Sequence, residues 1–336
     1  MTIKDIAKAC GVGVSTVSRV LNDRPDVSPE VRERVLRMVE TTGYIPNNSA
    51  RDLGRSQGDT IGVVVRGMGN LFFSRVLNTI IQETDKVGYT LVPRFIDSDA
   101  DEVKAGAELE REKKLRGLIF LGGRFDYNPA ELSLVRVPYV CCSFTNSFGS
   151  LAEEAFSSVC IDDFRTAYRA VEKLIERGHR RIAALVPSCA DHSISELRFE
   201  GYRAALADHG IAFDERLVAE CGGCFTMPEA YEGMEELLDR EVDFTAAFVL
   251  SDTTALAAIK ALENRGRRVP EDISVITIDG LEISAYTIPT LSTMVQPAEE
   301  MGRESVKLLL EVLNGGPNRH LRLEPAFREG ASLRCL

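Results

Sequence analysis

The stretch Thr2–Asn22 constrains the fold more than any other, because its apolar residues repeat at the spacing of two short helices. Thr2 is a favoured N-cap residue, and Gly11 is typical of the residue that ends a helix. A second helix is predicted to begin at Val14 or Ser15. Two short helices joined by a tight glycine-containing turn predict a helix-turn-helix. The polar face of the second helix carries Ser15, Thr16, Ser18, Arg19 and Asn22.

A third helix is predicted after Ser28, with Pro29 at its first position and Gly43 at its end. Three such helices in about 45 residues are near the lower size limit for a domain that folds alone. The first two helices by themselves are equally compatible with a plain helical hairpin that has a solvated polar face, and the third helix shifts the balance towards a helix-turn-helix domain.

From Thr60 onward the periodicity changes to short apolar runs that alternate with helical segments. This alternation predicts βαβ units and parallel sheets that are covered on both faces. Two successive sets of such units predict two doubly wound lobes. The predicted fold class is therefore α/β, with a small all-α helix-turn-helix head and a two-lobed body.

The net charge of −11 is unevenly distributed along the chain. Residues 1–57 carry a net charge of +2 and the remainder carries −13. Only the head is expected to approach DNA phosphates, because the acidic body should be repelled by them.

No apolar run reaches membrane-spanning length, and the N-terminus lacks the pattern of a signal peptide. A cytoplasmic protein is therefore expected, which counts against a periplasmic solute-binding protein.

The four histidines lack a motif-level nucleophile partner, and no phosphate-binding loop or metal signature is present. Cys221 and Cys224 have redox or zinc spacing, but no second pair or histidine stands at zinc-finger spacing. We expect no enzymatic activity, no metal and no cofactor.

Four segments together resemble the head of the LacI/GalR family of bacterial transcription regulators: TIKDIAKACGV, VSTVSRVLN, VSPEVRERV and GYIPNNSARDL. The resemblance resumes at intervals to the end of the chain. It implies a DNA-binding domain in residues 1–46, a hinge helix or linker in 47–58, and an effector-binding and dimerisation body in 59–336.

The family's body is periplasmic-binding-protein-like, so the resemblance implies lobes that are not simple sequential domains. The chain is expected to cross between them near Ile161, Pro289 and Leu323. The expected N-lobe comprises about 59–161 and 290–322, and the expected C-lobe about 162–289 and 323–336.

The resemblance also implies which residues contact DNA. Val14, Ser15 and Arg19 match the family's variable base-reading positions, and Arg19 has the donors to bind guanine bidentately. Thr16, Ser18 and Asn22 are expected at phosphates. Leu53 matches the family's wedge leucine, which opens a base step in the minor groove. The remaining expected contacts are Thr2, Asn47, Ala50 and Arg51.

Effector contacts are expected beyond the carboxyl ends of the strands, in the cleft between the lobes. Arg198 and Asp279 stand at the family's contact positions and suit the hydroxyl groups of a polyol. The other expected contacts are Asn70, Phe73, Phe225, Asp252 and Gln296. A phenylalanine after a strand is more often a core residue, and Asp252 is also a plausible helix cap.

Ser251, Gly280, Cys224 and Leu71 depart from the family's usual residues and leave the ligand open. A sugar or sugar derivative is the first expectation, and a purine-like or acidic metabolite is the alternative.

The expected function is that of a ligand-responsive transcriptional regulator, in particular a repressor, that binds a near-palindromic operator as a homodimer. No leucine heptads follow the last strand-like segment, which favours a dimer over a tetramer. A cleft-binding solute receptor is the alternative, and an enzyme on the same lobes is a third possibility.

Overall fold

The computed structural model describes residues 2–21, 24, 26–44, 60–67, 69–222 and 225–336. The chain divides into two compact units, a head, Met1–Gln57, and a body, Gly58–Leu336. The expected hinge, residues 47–58, lies outside the described residues. The DNA contacts expected at Asn22, Asn47, Ala50, Arg51 and Leu53 lie outside them as well.

The head contains the three predicted helices, α1 (Ile3–Cys10), α2 (Val14–Leu21) and α3 (Pro29–Thr42). Thr2 is the N-cap of α1, and Gly11 ends that helix with a φ of +62°. The helices share a small core, because each buries its apolar stripe against the other two. The fully buried members of this core are Ile6, Ala7, Cys10, Val17, Val20 and Val35.

The body alternates strands and helices as predicted. In chain order its elements are β1 (Thr60–Arg66), α4 (Leu71–Lys86), β2 (Thr90–Ile96), α5 (Glu102–Lys113), β3 (Gly117–Leu121), α6 (Pro129–Leu132), β4 (Tyr139–Cys142), β5 (Ser157–Ile161), α7 (Asp163–Glu176), β6 (Ile182–Val186), α8 (Ile194–Asp208), β7 (Val218–Glu220), α9 (Met227–Asp239), β8 (Ala246–Val249), α10 (Asp252–Asn264), β9 (Ser274–Asp279), β10 (Ser292–Val295), α11 (Ala298–Leu313), β11 (His320–Leu323) and β12 (Ala326–Arg328).

The strands form two six-stranded sheets, which define a first and a second lobe. The first sheet has the order β11-β5-β4-β3-β1-β2, and the second has the order β12-β10-β9-β8-β6-β7. Neighbouring strands are parallel except for β10 and β12. The predicted α/β class with doubly wound parallel sheets is therefore confirmed.

One expected crossing between the lobes is in the wrong place. The resemblance implied a crossing near Pro289, but β10 pairs in parallel with β9, so residues up to Val295 belong to the second sheet. The chain passes to the first lobe only at α11, which packs against α4 of that lobe. Strand pairing depends on partners that can lie far away in sequence, so local patterns did not place this crossing.

Each sheet buries side chains on both faces. In β6, Ala183 and Leu185 belong to one core cluster, whereas Ile182, Ala184 and Val186 belong to the cluster on the other face. This two-residue alternation is that of a strand covered by helices on both sides. None of the helices in the described residues is long and apolar enough to cross a membrane.

Helices α7 and α8 approach each other closely at Gly201. A Cβ at this position would lie 2.2 Å from the main-chain oxygen of Phe164 and 3.0 Å from the Cβ of Ala167. Main-chain atoms cannot move aside as a flexible side chain does, so only glycine fits without displacing α7. This contact fixes how α8, which carries Arg198, lies on the second sheet.

We expect Gly201→Ala to lower the free energy of unfolding of the body by about 1–3 kcal/mol, as overpacking of a tight interface does. Chemical denaturation followed by circular dichroism measures this change. Ala207→Ser, at an exposed position of the same helix, is the control and should stay within about 0.5 kcal/mol of the wild type. Equal stability of Gly201→Ala and the control would contradict the close approach.

Candidate functional site

Four buried polar side chains lie near the carboxyl ends of the strands in the second lobe. They come from the start of α7, from α8, from the end of β9 and from the residue that follows β10. We call this set the polar cluster: Asp163, Arg198, Asp279 and Gln296. The sequence predicted three of its four members as effector contacts, and the fold brings these three into one region.

Arg198 is held by two short hydrogen bonds. Its Nε donates to Oδ1 of Asp163 at 3.0 Å, and its Nη1 donates to the main-chain oxygen of Leu250 at 2.5 Å. Both side chains are 2% exposed, so these charge-assisted bonds lie in a low-dielectric environment. The guanidinium is therefore fixed beside the end of β8.

Asp279 combines an unusual backbone with a defined side-chain partner. Its φ is +125°, a conformation that residues with a side chain rarely adopt. Its Oδ1 accepts a hydrogen bond from Nε2 of Gln296 at 2.8 Å, and the main-chain NH of Gln296 donates to the Asp279 carbonyl at 3.1 Å. Backbone strain of this kind is often found at ligand sites.

Several buried polar atoms in this region have no hydrogen-bond partner within the described residues. They are Oγ of Ser195, Nη2 of Arg198 and Oε1 of Gln296. An unsatisfied buried polar atom costs about 1–3 kcal/mol. The three unpaired atoms are one donor, one acceptor and one hydroxyl, and together they suit a ligand that carries several hydroxyl groups.

Burial controls the charge of the cluster carboxyls. Desolvation raises the pKa of Asp163 to about 6, although the nearby Arg198 opposes this rise. Desolvation also raises the pKa of Asp279 to about 7; Arg198 lowers it and Asp252 raises it further. The cluster therefore gains negative charge as the pH rises towards neutrality.

Asp252, expected as an effector contact or a helix cap, is engaged within the protein. Its Oδ2 accepts from the NH of Leu281 at 2.6 Å and the hydroxyl of Ser284 at 2.8 Å, and its Oδ1 accepts from the hydroxyl of Thr293 at 2.7 Å. Ser251, not Asp252, is the N-cap of α10. These contacts support a bracing role behind Asp279.

The other three expected effector contacts lie outside the polar cluster. Asn70 caps α4, since its Oδ1 accepts from the NH of Phe72 at 3.0 Å. The ring of Phe73 lies over Gly122, where a Cβ would stand 2.7 Å from the ring. Phe225 is half-buried and packs against the core of the second lobe.

Sequence reasoning missed Asp163 and Ser195. The pair Asp162-Asp163 follows β5 directly, a position at which carboxylates often contact ligands, and this signal was available. Asp162 caps α7, because its Oδ1 accepts from the NH of Arg165 at 2.9 Å. Ser195 carried no comparable signal.

A direct contact joins the two lobes beside Asp279. Nη1 of Arg75, on α4 of the first lobe, donates to the carbonyl of Gly280 at 3.0 Å. Nη2 of Arg75 lies 2.8 Å from the carboxylate of Glu299. Leu281, the residue after Gly280, is buried in the core of the first lobe. The segment from Asp279 to Leu281 thus connects the polar cluster to α4.

In the head, α2 exposes the predicted base-reading face. Val14 is 41% exposed, Ser15 and Arg19 are exposed, and Thr16 and Ser18 are half-buried. The Arg19 guanidinium lies 3.3 Å from the carboxylate of Asp26, with both side chains more than half exposed. The main-chain NH and the hydroxyl of Thr2 both donate to Asp5.

Within the part of the chain that the structure describes, no three His, Cys, Asp or Glu side chains are placed to hold a metal ion. Cys221 is buried, and Cys224, the other cysteine of the pair with redox or zinc spacing, lies outside the described residues.

Both units match known protein families. Residues 2–47 match the description "Bacterial regulatory proteins, lacI family", and residues 171–333 match "Periplasmic binding protein-like domain".

Similar proteins cover nearly the whole chain. The HTH-type transcriptional regulator MalR of Clostridium butyricum is 39% identical over 332 residues, which are 98% of both chains. The complex of the transcriptional regulator CelR with cellobiose has a TM-score of 0.73 at 33% identity, with 99% of both chains covered. The lac repressor dimer bound to operator and the anti-inducer ONPF shares the fold, with a TM-score of 0.75, 24% identity and 99% of both chains covered.

The raised pKa values of Asp163 and Asp279 predict how stability depends on pH. Between about pH 4 and pH 7 the folded protein binds more protons at these carboxyls than the unfolded chain does, so their contribution to the free energy of unfolding falls as pH rises through this window. Asp279→Asn removes one of the two carboxyls. Relative to this variant, the free energy of unfolding of the wild type should fall by on the order of 1 kcal/mol between pH 5 and pH 8.

Urea denaturation at several pH values measures this difference. Asp85→Asn, which changes an exposed carboxylate on α4, is the matched control and should follow the wild type at every pH. If the free energy of unfolding of the wild type and that of Asp279→Asn changed with pH in the same way, the burial of the Asp279 charge would be refuted.

Proposed function

Because this chain belongs to the LacI family of bacterial regulatory proteins, we propose that it is a transcriptional regulator whose head binds operator DNA and whose body binds a small effector. The observation that carries the proposal is that one chain joins a helix with an exposed reading face to a lobe that holds a buried cluster with unpaired polar atoms. A homodimer presents two such heads and suits a near-palindromic operator. The sign of regulation that we propose is repression.

The exposed face of α2 supports the proposed base contacts. The Arg19 guanidinium forms an ion pair with Asp26 in which both side chains are more than half exposed. An exposed ion pair of this kind contributes little, so guanine can compete for the guanidinium. Val14 offers an apolar contact of the kind that a thymine methyl accepts. Thr16 and Ser18 are proposed to hold phosphates. The contacts assigned to residues 47–58 rest on the sequence.

The charge of the polar cluster favours a neutral effector. Asp163 and Asp279 provide two carboxyls against the single guanidinium of Arg198, and that guanidinium already makes two bonds to the protein. An acidic metabolite would meet like charge there, whereas hydroxyl groups find acceptors. The likeness to CelR, whose complex contains cellobiose, also supports a sugar. A purine-like effector is the alternative, supported by the half-buried ring of Phe73.

We propose that effector binding changes operator affinity through the lobe arrangement. A ligand shifts this equilibrium only through its differential affinity for the two arrangements. Arg75 and Leu281 are proposed to transmit the change, because they join the Asp279 segment to the first lobe.

Operator binding requires the compartment that holds DNA, so we propose the cytoplasm. A solute receptor of the same fold would have no use for the head.

Arg19→Ala should lose about 1–3 kcal/mol of operator affinity and relax the preference at one base pair. Selection of binding sites from random duplex DNA, for wild type and variant in parallel, measures both effects. Asp26→Asn is the matched control: it releases Arg19 and removes a negative charge, so binding should be retained or tightened. Weakening by Arg19→Ala that is uniform over all sequences would indicate a phosphate contact instead.

A thermal-shift screen of sugars, nucleosides and organic acids tests the effector proposal, because a ligand bound only by the native state raises the melting temperature. We expect the largest shift from a neutral sugar, and no shift from that sugar with Asp279→Ala. Operator binding by Asp279→Ala should stay intact while its response to the sugar is lost. A response that survives would show that Asp279 is not an effector contact.

A further inference from the structure

Arg328 is the last residue of β12, which is an edge strand of the second sheet. Strand β12 pairs with β10 in an antiparallel register that sets Arg328 opposite Thr293. Arg328 is half-buried, and its Nη2 donates to the carbonyl of Leu281 at 3.3 Å and to the hydroxyl of Ser284. Arg328, which is outside the polar cluster, thus contacts the segment that follows Asp279.

A buried carboxylate holds the same segment. Oδ2 of Asp252 accepts from the NH of Leu281 at 2.6 Å and from the hydroxyl of Ser284 at 2.8 Å. Ser284 joins the two charged side chains, because its oxygen accepts from Arg328 while its proton is donated to Asp252. Burial raises the pKa of the Asp252 carboxyl, although its hydrogen bonds and the nearby charge of Arg328 oppose the rise. We call Asp252, Ser284 and Arg328 the Leu281 clamp.

Leu281 is anchored in both lobes at once. Its main-chain NH and carbonyl are bonded to Asp252 and Arg328 of the second lobe, whereas its side chain is buried in the core of the first lobe. A residue that is fixed in this way cannot move with either lobe alone. A change of lobe arrangement must therefore turn about a point close to Leu281.

The chain between Asp279 and Leu281 has little room to deform. Gly280 has a φ of +73°, and a Cβ at this position would lie 2.6 Å from Cγ1 of Val295. The NH of Gly280 donates to the hydroxyl of Thr293 at 3.2 Å. With Leu281 held in place, a displacement of the Asp279 carboxyl is passed on to the first lobe and is not absorbed within the segment.

We propose that Arg328 is a positioning residue for the regulatory response: it holds Leu281, so that a ligand at Asp279 turns the first lobe instead of shifting a loose segment. This inference rests on the proposed function and adds the residue that determines how strongly effector and operator binding influence each other. The coupling of two binding events is a free energy separate from either affinity. A variant of Arg328 can therefore lose the response and still bind both partners.

The first test compares operator dissociation constants with and without sugar, measured on the full-length protein by fluorescence anisotropy. The duplex is the one that the wild type selects from random DNA, and the sugars are cellobiose, maltose and ribose. The wild-type ratio of the larger to the smaller constant should lie between about 5 and 150, the usual range of allosteric coupling, and Arg328→Gln should bring it to within about twofold of 1. Sugar affinity and sugar-free operator affinity should each stay within about threefold of the wild type.

Three further variants accompany this test. Both bonds of Arg328 come from one nitrogen, which a lysine ammonium can replace, so Arg328→Lys should keep the ratio within about threefold of the wild type. Ser284→Ala removes the hydroxyl between Arg328 and Asp252 and should lower the ratio as Arg328→Gln does. Arg267→Gln, at an exposed arginine of the same lobe, should behave like the wild type. The melting temperature of each unliganded variant reports whether it folds.

Hydrogen exchange of the unliganded protein tests the Leu281 clamp without any effector. Arg328→Gln should speed up exchange in residues 280–284 about tenfold relative to Arg267→Gln, because a local opening then costs less free energy. Exchange in β6 and β8 should stay unchanged. A merely structural role of Arg328 would instead raise exchange throughout the second sheet.

The proposal is overturned if Arg328→Gln retains the wild-type ratio, or if it loses sugar affinity by the same factor as the response. Exchange in residues 280–284 that stays unchanged, or that rises together with the whole sheet, would also overturn it. These results leave the proposed sugar effector in place. If no sugar changes operator binding by the wild type, the sugar effector is refuted, and the hydrogen-exchange result alone then confirms or overturns the Leu281 clamp.

Discussion

The candidate effector site depends on the hydrogen bonds that hold the buried guanidinium of Arg198. Desolvating a charge costs several kcal/mol, and the cost is offset only when good partners surround it. Asp163 and the Leu250 carbonyl provide two such partners and fix Arg198 between the start of α7 and the end of β8. The close approach of α8 at Gly201 sets the position from which the side chain extends. The fixed pair leaves Nη2 as the donor available to a ligand.

The strained segment that begins at Asp279 gives this site a physical connection to the first lobe. Gln296 holds the side chain of Asp279, and the carbonyl of the next residue, Gly280, accepts a hydrogen bond from Arg75. Leu281 is buried in the core of the first lobe. Asp252 braces the same segment from behind through the NH of Leu281. A ligand that pulls on the Asp279 carboxylate therefore acts on a segment with contacts in both lobes, which a free surface carboxylate could not do.

Local signals in the sequence predicted the elements well, and non-local contacts account for what was missed. The helices of the head follow from apolar spacing and caps such as Thr2 and Ser28, which act within a few residues. Asp163 escaped because Asp-Asp after a strand reads as a helix start, and its role depends on an arginine 35 residues away. The helix-cap reading of Asp252 was wrong for the same reason, since its side-chain partners, Thr293 and the NH of Leu281, are far away in sequence and Ser251 caps α10 instead. The crossing expected near Pro289 likewise failed because the pairing of β10 with β9 is tertiary.

Control of lobe arrangement requires a ligand that acts on both lobes. The polar cluster belongs to the second lobe, apart from Asp163 at the crossing, so a ligand confined to it acts on the first lobe only through the segment from Asp279 to Leu281. A cavity of about 160 Å³ between the lobes differs, because Phe125 and Ser147 come from the first lobe and Leu197 from the second. A ligand that extends from Arg198 into this cavity meets walls whose separation depends on the lobe arrangement.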